Sequence, residues 1–575
     1  MKTPRSFASR LVPFALAAAV AGAVSARAAA QFLKNVMVPM RDGTRLAANV
    51  FLPSEKGAFP VILTRTPYGK GGEKAALGAG MRRLGYAVVS QDCRGRGDSE
   101  GKWDPFRYDV QDGQDTLKWV IAQPWCNGRI GTAGGSYVGW TQWALAPGAP
   151  PQLKAMVPMV PFAEAYPHAA YPGGAFQLAL CFGWGAGVGG IRADANRLRK
   201  AFEFLPLNRW DEQFDRRAPY LRDWIAHSTY DAYWRRRGVP GRYKDIAAPI
   251  LNIGGWYDIF SKPVIEMIER VRHESKSRLA RRNQCVVVGP WAHGPAKRRL
   301  GELDFGPEAE LNVMELQLKW FEYWLKGKET GVEDWPPLLL FVMGENKWRP
   351  ACQWPPRGVK FVSYYLASGG KANSLGGDGR LALRPPEGQT PPDRFVYDPN
   401  RPVPTHGGNN LAALPSGPFD QTEIEKRSDV LVYTTPPLEE PVCVIGPVRL
   451  VLHAASTAPD TDFTVKLADV HPDGRAFNLC DGILRARFRR SNVKPSLIRP
   501  GKTYRYEIEA GVTANLFKKG HRIRIEVSSS NFPRFDRNAN SGLPLGTDTK
   551  LLKATQTVYH DRARPSRLVL PVAPR

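Results

Sequence analysis

The stretch GTAGGSYVGWTQW, residues 131–143, places a serine between glycines directly after a short apolar run. Ser136 is thus expected where a strand turns sharply into a helix, and such a strained turn needs small residues on both sides. Gly134 and Gly135 precede the serine, but the next glycine is Gly139, one position later than in the usual G-x-S-x-G pattern. Taken alone, a glycine-flanked serine is more often an ordinary turn residue than a nucleophile.

Two side chains further along the chain strengthen the interpretation of Ser136 as a nucleophile. The segment APILNIGGWYDIF predicts a strand followed by Asp258, and QCVVVGPWAHG predicts a strand followed by His293. Hydrolases with an α/β fold carry their triad in the order Ser, Asp, His, each residue near the C-terminal end of a strand. Asp258 alone could be a helix cap and His293 alone a structural histidine. Together and in this order, they predict a catalytic triad.

The same chemistry requires two hydrogen-bond donors for the oxyanion that develops during acyl transfer. The backbone N–H of Tyr137, the residue after the serine, is one candidate. The second donor usually comes from a loop after an early strand, and here the loop TRTPYGK carries Tyr68. A phenol is a good donor, although Tyr68 could equally be a packed loop aromatic.

The remaining sequence predicts an α/β protein with a second, all-β domain. Short apolar runs alternate with helical segments over residues 31–160, which is typical of a parallel sheet buried on both faces. Residues 161–246 are helical in pattern and rich in Trp and Tyr, and they predict an inserted helical cap. The core is completed over residues 247–336. Short alternating runs between turn residues predict a jelly roll over residues 337–575, with long surface loops at about 369–417.

The N-terminus predicts export. Residues 1–30 combine a positive start, an apolar segment over residues 11–24 and small residues near a cleavage site, as in a secretory signal peptide. No cysteine lies near that site, and no other run of about 18 apolar residues follows. The expected protein is secreted or periplasmic and has no membrane anchor.

Composition excludes several partners. The net charge is +26, but the basic residues are scattered and accompany no nucleic-acid-binding motif, so we expect no nucleic-acid partner. Seven cysteines at wide spacing include no CxxC pair, which argues against a zinc site and allows one or two disulfides at most. The sequence predicts no cofactor and no metal, and it leaves a homo-oligomer open.

At this point the sequence resembles the CocE/NonD hydrolases, cocaine esterase-like serine hydrolases related to the X-Pro dipeptidyl-peptidases. The resemblance covers nearly all of the chain after residue 30, and in that family the serine motif is G-x-S-Y-x-G, so Val138 is no anomaly. It implies Ser136 as nucleophile with Asp258 and His293, and the Tyr68 hydroxyl beside the Tyr137 amide as oxyanion donors. It also implies an α/β-hydrolase core, a helical cap and a C-terminal jelly roll. The motifs are VPMRDGTRL (38–46), TPYGK (66–70), QDCRGRGDSEG (91–101), GGSYVG (134–139), GGWYDIF (254–260), GPWAHG (289–294), WLKGKETG (324–331), LFVMGENKWR (340–349) and SSNFPRFDRN (529–538).

One departure from the family bears on the substrate. The α-amino-acid ester hydrolases of this group carry carboxylates two and three residues after the catalytic Asp, and these bind the substrate ammonium. Here the two positions are Phe260 and Ser261, so a charged amine would lack this partner.

The sequence therefore favours an exported serine hydrolase that cleaves a small-molecule ester or amide with a neutral acyl or aryl group. An X-Pro-type dipeptidyl-peptidase and an acyltransferase on the same triad remain alternatives. A non-catalytic carbohydrate-binding protein is a remote one, since a complete triad argues against it.

Overall fold

The computed structural model describes residues 29–214, 216–411 and 414–574. The predicted signal segment, residues 1–30, lies outside the described residues except for its last two positions. Within the described part of the chain, no helix is both long and apolar enough to cross a membrane.

The first part of the core forms as the short apolar runs predict. The strands over residues 45–52, 59–66 and 87–92 are almost entirely buried, because helices cover both faces of the sheet. A hairpin around residues 41–43 pairs the first two strands in antiparallel fashion. The elements are β1 (Gln31–Pro39), β2 (Arg45–Leu52), β3 (Phe59–Thr66), α1 (Ala76–Arg83), β4 (Ala87–Asp92), α2 (Asp109–Ile121), β5 (Cys126–Gly135), α3 (Tyr137–Leu145) and β6 (Leu153–Met159).

The helical cap follows as predicted and packs over the C-terminal ends of the core strands. A cluster of buried, mainly aromatic side chains joins the cap to the core around the turn that carries Ser136. Its regular helices are α4 (Leu178–Val188), α5 (Ala195–Glu203), α6 (Pro219–Ala226) and α7 (Ala232–Arg235).

The second part of the core completes a ten-stranded sheet in the order β1-β2-β4-β3-β5-β6-β7-β8-β11-β12. The structure differs here from the prediction that residue 337 opens the jelly roll, because β11 pairs in parallel with β8. All five β11 residues are buried, and an apolar run of that length does not reveal which sheet it joins. The elements are β7 (Ile250–Gly255), α8 (Ser261–Glu274), α9 (Arg278–Arg282), β8 (Gln284–Gly289), β9 (Arg299–Leu300), β10 (Leu303–Asp304), α10 (Val313–Lys326), β11 (Leu338–Val342) and β12 (Lys347–Ala351).

The C-terminal domain is all-β, as predicted, and its eleven strands form one continuous hydrogen-bonded array. Two short strands, β14 and β15, lie inside the stretch 369–417 that was predicted as surface loops. The elements are β13 (Lys360–Ala367), β14 (Arg380–Ala382), β15 (Asp393–Tyr397), α11 (Thr422–Glu425), β16 (Leu431–Thr434), β17 (Val442–Ser456), β18 (Asp462–Val470), β19 (Ala476–Arg485), β20 (Tyr504–Phe517), β21 (Arg522–Ser528), β22 (Ala554–Tyr559) and β23 (Arg567–Val572).

The seven cysteines all lie in the described residues, and none is paired in a disulfide. The one or two disulfides that the sequence allowed are therefore not formed in the structure. Five of the seven thiols are buried, where they pack as small apolar side chains.

Candidate active site

Ser136 stands at the turn between β5 and α3, in a backbone conformation that non-glycine residues rarely adopt. Its φ is 59° and its ψ is −124°. The turn is held by a hydrogen bond from the Ser136 N–H to the Met159 carbonyl oxygen at 2.9 Å. Strain of this kind, of order 1–3 kcal/mol, persists only where the surroundings enforce it, and it is typical of functional sites.

The two glycines that matter for this turn are Gly134 and Gly139. Gly134 has φ +132°, and a Cβ there would lie 2.2 Å from Val138 Cγ1. A Cβ on Gly139 would lie 2.9 Å from the carbonyl oxygen of Met159, at the end of β6. The glycine after the serine thus permits close approach to the neighbouring strand, although it comes one position later than in the usual pattern.

Asp258 and His293 are brought together at the ends of β7 and β8. Asp258 Oδ2 and His293 Nδ1 are 2.5 Å apart, and Asp258 Oδ1 accepts the Phe260 N–H at 2.7 Å. Asp258 is fully buried, so its charge depends on these two contacts. The pair fixes the imidazole with Nδ1 toward the carboxylate and leaves Nε2 for other chemistry.

His293 and Ser136 line the same groove, which runs along the ends of the central strands. His293 Nε2 is buried, and the described residues offer it no hydrogen-bond partner. A buried, unpaired ring nitrogen beside a strained serine is the arrangement a general base would have before substrate binds, since such contacts tighten in the complex. The groove also carries Lys297 and Glu310.

The turn that carries Asp258 is supported from the C-terminal domain. The buried Asn409 side chain donates to the carbonyl oxygens of Trp256 and Asp258, both at 2.8 Å, and to Ser261 Oγ at 3.2 Å. Asn409 belongs to the stretch that was predicted as surface loops, so that prediction is wrong at this position. Sequence reasoning missed Asn409, because nothing local marks a residue 151 positions away as a support for Asp258.

Tyr68 lies near Ser136, whose side chain is one of the groups that act on the pKa of the Tyr68 phenol. The hydroxyl also accepts the Trp184 Nε1–H at 2.9 Å. Half of the Tyr68 side chain is exposed, yet burial of its hydroxyl raises the pKa of the phenol above 10. The phenol therefore keeps its proton at neutral pH. Because the indole is only a donor, that proton is free for Ser136 or for an oxyanion.

Tyr137 presents its backbone N–H at the start of α3, while its side chain is anchored in the interior. The Tyr137 hydroxyl donates to Asp109 Oδ2 at 2.6 Å and accepts the Phe106 N–H at 2.9 Å. Trp140 Nε1 donates to the same Asp109 oxygen at 3.0 Å. Burial, and next the Asp109 charge, raise the pKa of Tyr137. This buried network, in which Arg65 neutralises Asp109, fixes the start of α3.

An apolar pocket opens on the other side of Ser136, beneath the cap. No charged side chain is present in its described walls. Ring faces and edges dominate, and Phe260 closes one end against His293, with ring centroids 5.7 Å apart. The aromatic residues that line it are Phe106, Tyr137, Phe162, Trp184, Trp224, Trp234 and Phe260.

Neither position that carries an ammonium-binding carboxylate in the α-amino-acid ester hydrolases supplies one to this pocket, and the nearby carboxylate of the cap is engaged elsewhere. Phe260 lines it, whereas Ser261 begins α8 and lies toward the C-terminal domain. Glu164, a cap residue, accepts the Tyr230 hydroxyl at 2.8 Å and lies 3.7 Å from Arg270. A charged amine buried here would have no carboxylate partner among the described lining residues.

Comparison with known proteins places these features in a family. Residues 42–295 match the X-Pro dipeptidyl-peptidase (S15) family, and residues 330–569 match the X-Pro dipeptidyl-peptidase C-terminal non-catalytic domain. The chain is 38% identical to the cocaine esterase of Rhodococcus sp. (strain MB1 Bresler), over 94% of this chain and 98% of that protein. The chain belongs to the CocE/NonD family of serine hydrolases. Members of this family are named as esterases and as S15 peptidases.

Two solved structures share both domains with this family member. An aminopeptidase from the marine sediment archaeon Thaumarchaeota archaeon is 25% identical, with a TM-score of 0.81 over 96% of this chain and 97% of that one. A selenomethionine-labelled α-amino acid ester hydrolase is 26% identical, with a TM-score of 0.79 over 98% and 100%. The α/β-hydrolase core with its cap and all-β domain is thus confirmed.

Proposed function

We propose that this chain is an exported hydrolase that cleaves esters or amides of neutral, mainly apolar acyl groups through an acyl-enzyme. The observation that carries the proposal is the buried Asp258–His293 pair, whose unpaired Nε2 shares a groove with the strained Ser136. Export rests on residues 1–30 of the sequence alone.

In the proposed reaction, Ser136 Oγ attacks the substrate carbonyl carbon while His293 Nε2 takes the hydroxyl proton. The oxyanion is bound by the Tyr137 N–H and the Tyr68 hydroxyl. As the tetrahedral intermediate collapses, the bond to the leaving alcohol or amine breaks and Nε2 returns its proton to that group. A water then repeats the sequence on the acyl-enzyme, releasing the acid and restoring Ser136. Asp258 stabilises the imidazolium in both halves.

The pocket under the cap is suited to the acyl group. Burying a phenyl or branched aliphatic group there gains roughly 1.5–3 kcal/mol, or about 0.8 kcal/mol per CH₂. A buried ammonium without a paired carboxylate costs several kcal/mol. A neutral acyl group is therefore favoured over an α-amino acyl group. The preference should be measured as the ratio of the kcat/KM values for the two substrates.

The role of Ser136 is tested by Ser136→Ala with a fluorophosphonate probe. Labelling should vanish and turnover should fall by about 10⁴- to 10⁶-fold, with the fold retained. Labelling of another serine in the variant would contradict the assignment.

The acyl preference is tested with a phenylglycine ester and its des-amino phenylacetyl analogue, at a pH where the amine is charged. We expect the phenylacetyl ester to have a kcat/KM at least about tenfold higher, or roughly 1.4 kcal/mol.

An X-Pro-type dipeptidyl-peptidase is the second candidate, because the family match over residues 42–295 carries that description. It requires a carboxylate for the substrate amine, and Glu310 in the open groove beside His293 is the one described lining residue of that type. Preference for the charged ester, lost in Glu310→Gln, would favour this candidate. Comparing the rates of hydrolysis and aminolysis of one activated ester distinguishes both candidates from an acyltransferase, for which aminolysis would be faster.

A further inference from the structure

A second cluster of reactive side chains lies in the C-terminal domain, outside the groove and pocket that flank Ser136. Strands β18 and β21 pair in antiparallel register, with Val470 opposite Arg522. The next positions in this register are His471 and His521. Their imidazole rings meet with centroids 4.6 Å apart.

Asp469 joins the two histidines because residues two apart on a strand share a face. Its Oδ1 lies 2.9 Å from His521 Nδ1. One ligand atom from each of Asp469, His471 and His521 can be chosen so that all three lie within 4.8 Å of one another. Two histidines that are 50 positions apart in the sequence thus converge on one carboxylate.

The surroundings of the cluster leave it accessible from solvent, and a nearby arginine has other partners. Asp469 and His521 are buried, while His471 is partly exposed and provides a path from solvent. Among the described residues, the second Asp469 oxygen has a single long hydrogen-bond contact, 3.4 Å from Asn515 Nδ2. The nearby Arg475 is paired with Asp473 and lies over the Phe477 ring.

We propose that Asp469, His471 and His521 form a binding site for a divalent transition-metal ion, with Zn²⁺ as the best match. Two imidazoles and one carboxylate are ligands that zinc accepts at about 2.0–2.2 Å, whereas Mg²⁺ and Ca²⁺ prefer oxygen ligands throughout. A tetrahedral ion holds its ligand atoms about 3.4 Å apart, so small side-chain rotations close the widest gap. The fourth position is left to water on the exposed side of His471.

Such an ion would tie the end of β18 to the start of β21. Its expected effect is on the stability of the all-β domain, since an ion that binds only the folded state raises the melting temperature by mass action. The ion is not expected to enter the hydrolytic chemistry, because none of its ligands lines the groove or the pocket at Ser136.

The test is a calorimetric titration of chelator-treated protein with Zn²⁺, combined with melting curves at each concentration. We expect one ion per chain, and at least a tenfold rise in Kd in both His471→Ala and His521→Ala. His471→Ala keeps the test valid if the buried His521 variant does not fold. His227→Ala is the matched control, since His227 contacts Asp231 at 2.6 Å but belongs to no three-ligand group among the described residues. Its Kd should be unchanged.

Two results would overturn the proposal. One is the absence of saturable Zn²⁺ binding, which would make the His521–Asp469 contact an ordinary buried hydrogen bond. The other is binding that survives His471→Ala but disappears in His293→Ala, which would assign the ion to the Asp258–His293 pair.

Discussion

Removal of the Tyr68 hydroxyl is the sharpest test of how the site stabilises charge. Tyr68→Phe keeps the ring, half of which faces solvent, and deletes the proposed oxyanion donor near Ser136. One such donor is worth about 10²–10³ in kcat, or roughly 2.7–4 kcal/mol. Because the interaction strengthens only in the transition state, kcat and kcat/KM should fall together while KM changes little.

We expect Trp184 to contribute to this effect through its hydrogen bond to the Tyr68 hydroxyl. The indole orients the phenol through one neutral hydrogen bond at 2.9 Å, worth about 0.5–1.5 kcal/mol, so Trp184→Phe should lower kcat by roughly tenfold or less. In the Tyr68→Phe background the hydroxyl that Trp184 contacts is already gone, so Trp184→Phe should cause no further loss of kcat through this hydrogen bond. Pocket effects of the smaller ring are common to both backgrounds and cancel in the cycle.

The assay is steady-state hydrolysis of a p-nitrophenyl ester by the four variants, with folding checked by melting temperature. A Tyr68→Phe enzyme with kcat within about twofold of wild type would refute the oxyanion assignment. Strictly additive losses in the cycle would refute the orienting role of Trp184.

Three further predictions test the support of the Asp258 turn, the close packing at Gly139 and the pH dependence of the protein's stability. Asn409→Ala removes the hydrogen bonds to the Trp256 and Asp258 carbonyl oxygens, of which the Asp258 oxygen still accepts the Ser261 N–H at 3.1 Å, so kcat should fall about tenfold and the melting temperature should drop. Asn410→Ala also loses two loop hydrogen bonds and should leave kcat unchanged. Gly139→Ala forces a Cβ to 2.9 Å from the Met159 carbonyl and should destabilise the fold by about 1–3 kcal/mol in denaturant unfolding; a neutral result would contradict the close-approach argument. Burial, and then Lys262 and Arg270, lower the pKa of His168 to about 3, below its ordinary 6.5. Its contribution to stability is therefore complete above pH 6.5 and is lost as pH falls toward 3, about 2–3 kcal/mol by pH 4.5; His168→Gln should flatten that slope, and an unchanged slope would count against it.

The sequence alone determined the order and placement of the three candidate triad residues along the chain. Ser136, Asp258 and His293 each follow a short apolar run, and such runs form buried strands whose C-terminal ends meet at one edge of a parallel sheet. Local pattern sufficed because strand formation and strand-end placement depend on neighbouring residues. Gly134 and Gly139 could be recognised in the same way, because the requirements of the tight turn at Ser136 show in the neighbouring sequence.

Only the tertiary structure decided which distant segments support that chemistry. Asn409 reaches the Asp258 turn from the C-terminal domain, and Trp184 reaches Tyr68 from the cap, because the packing of separate units brings them together. The strand Leu338–Val342 joins the core sheet rather than the second domain for the same reason. The His471 and His521 rings meet because antiparallel register sets the two strands side by side. The hydrophobic pattern specifies that a segment is buried, whereas strand register and domain packing specify which other segments it is buried against.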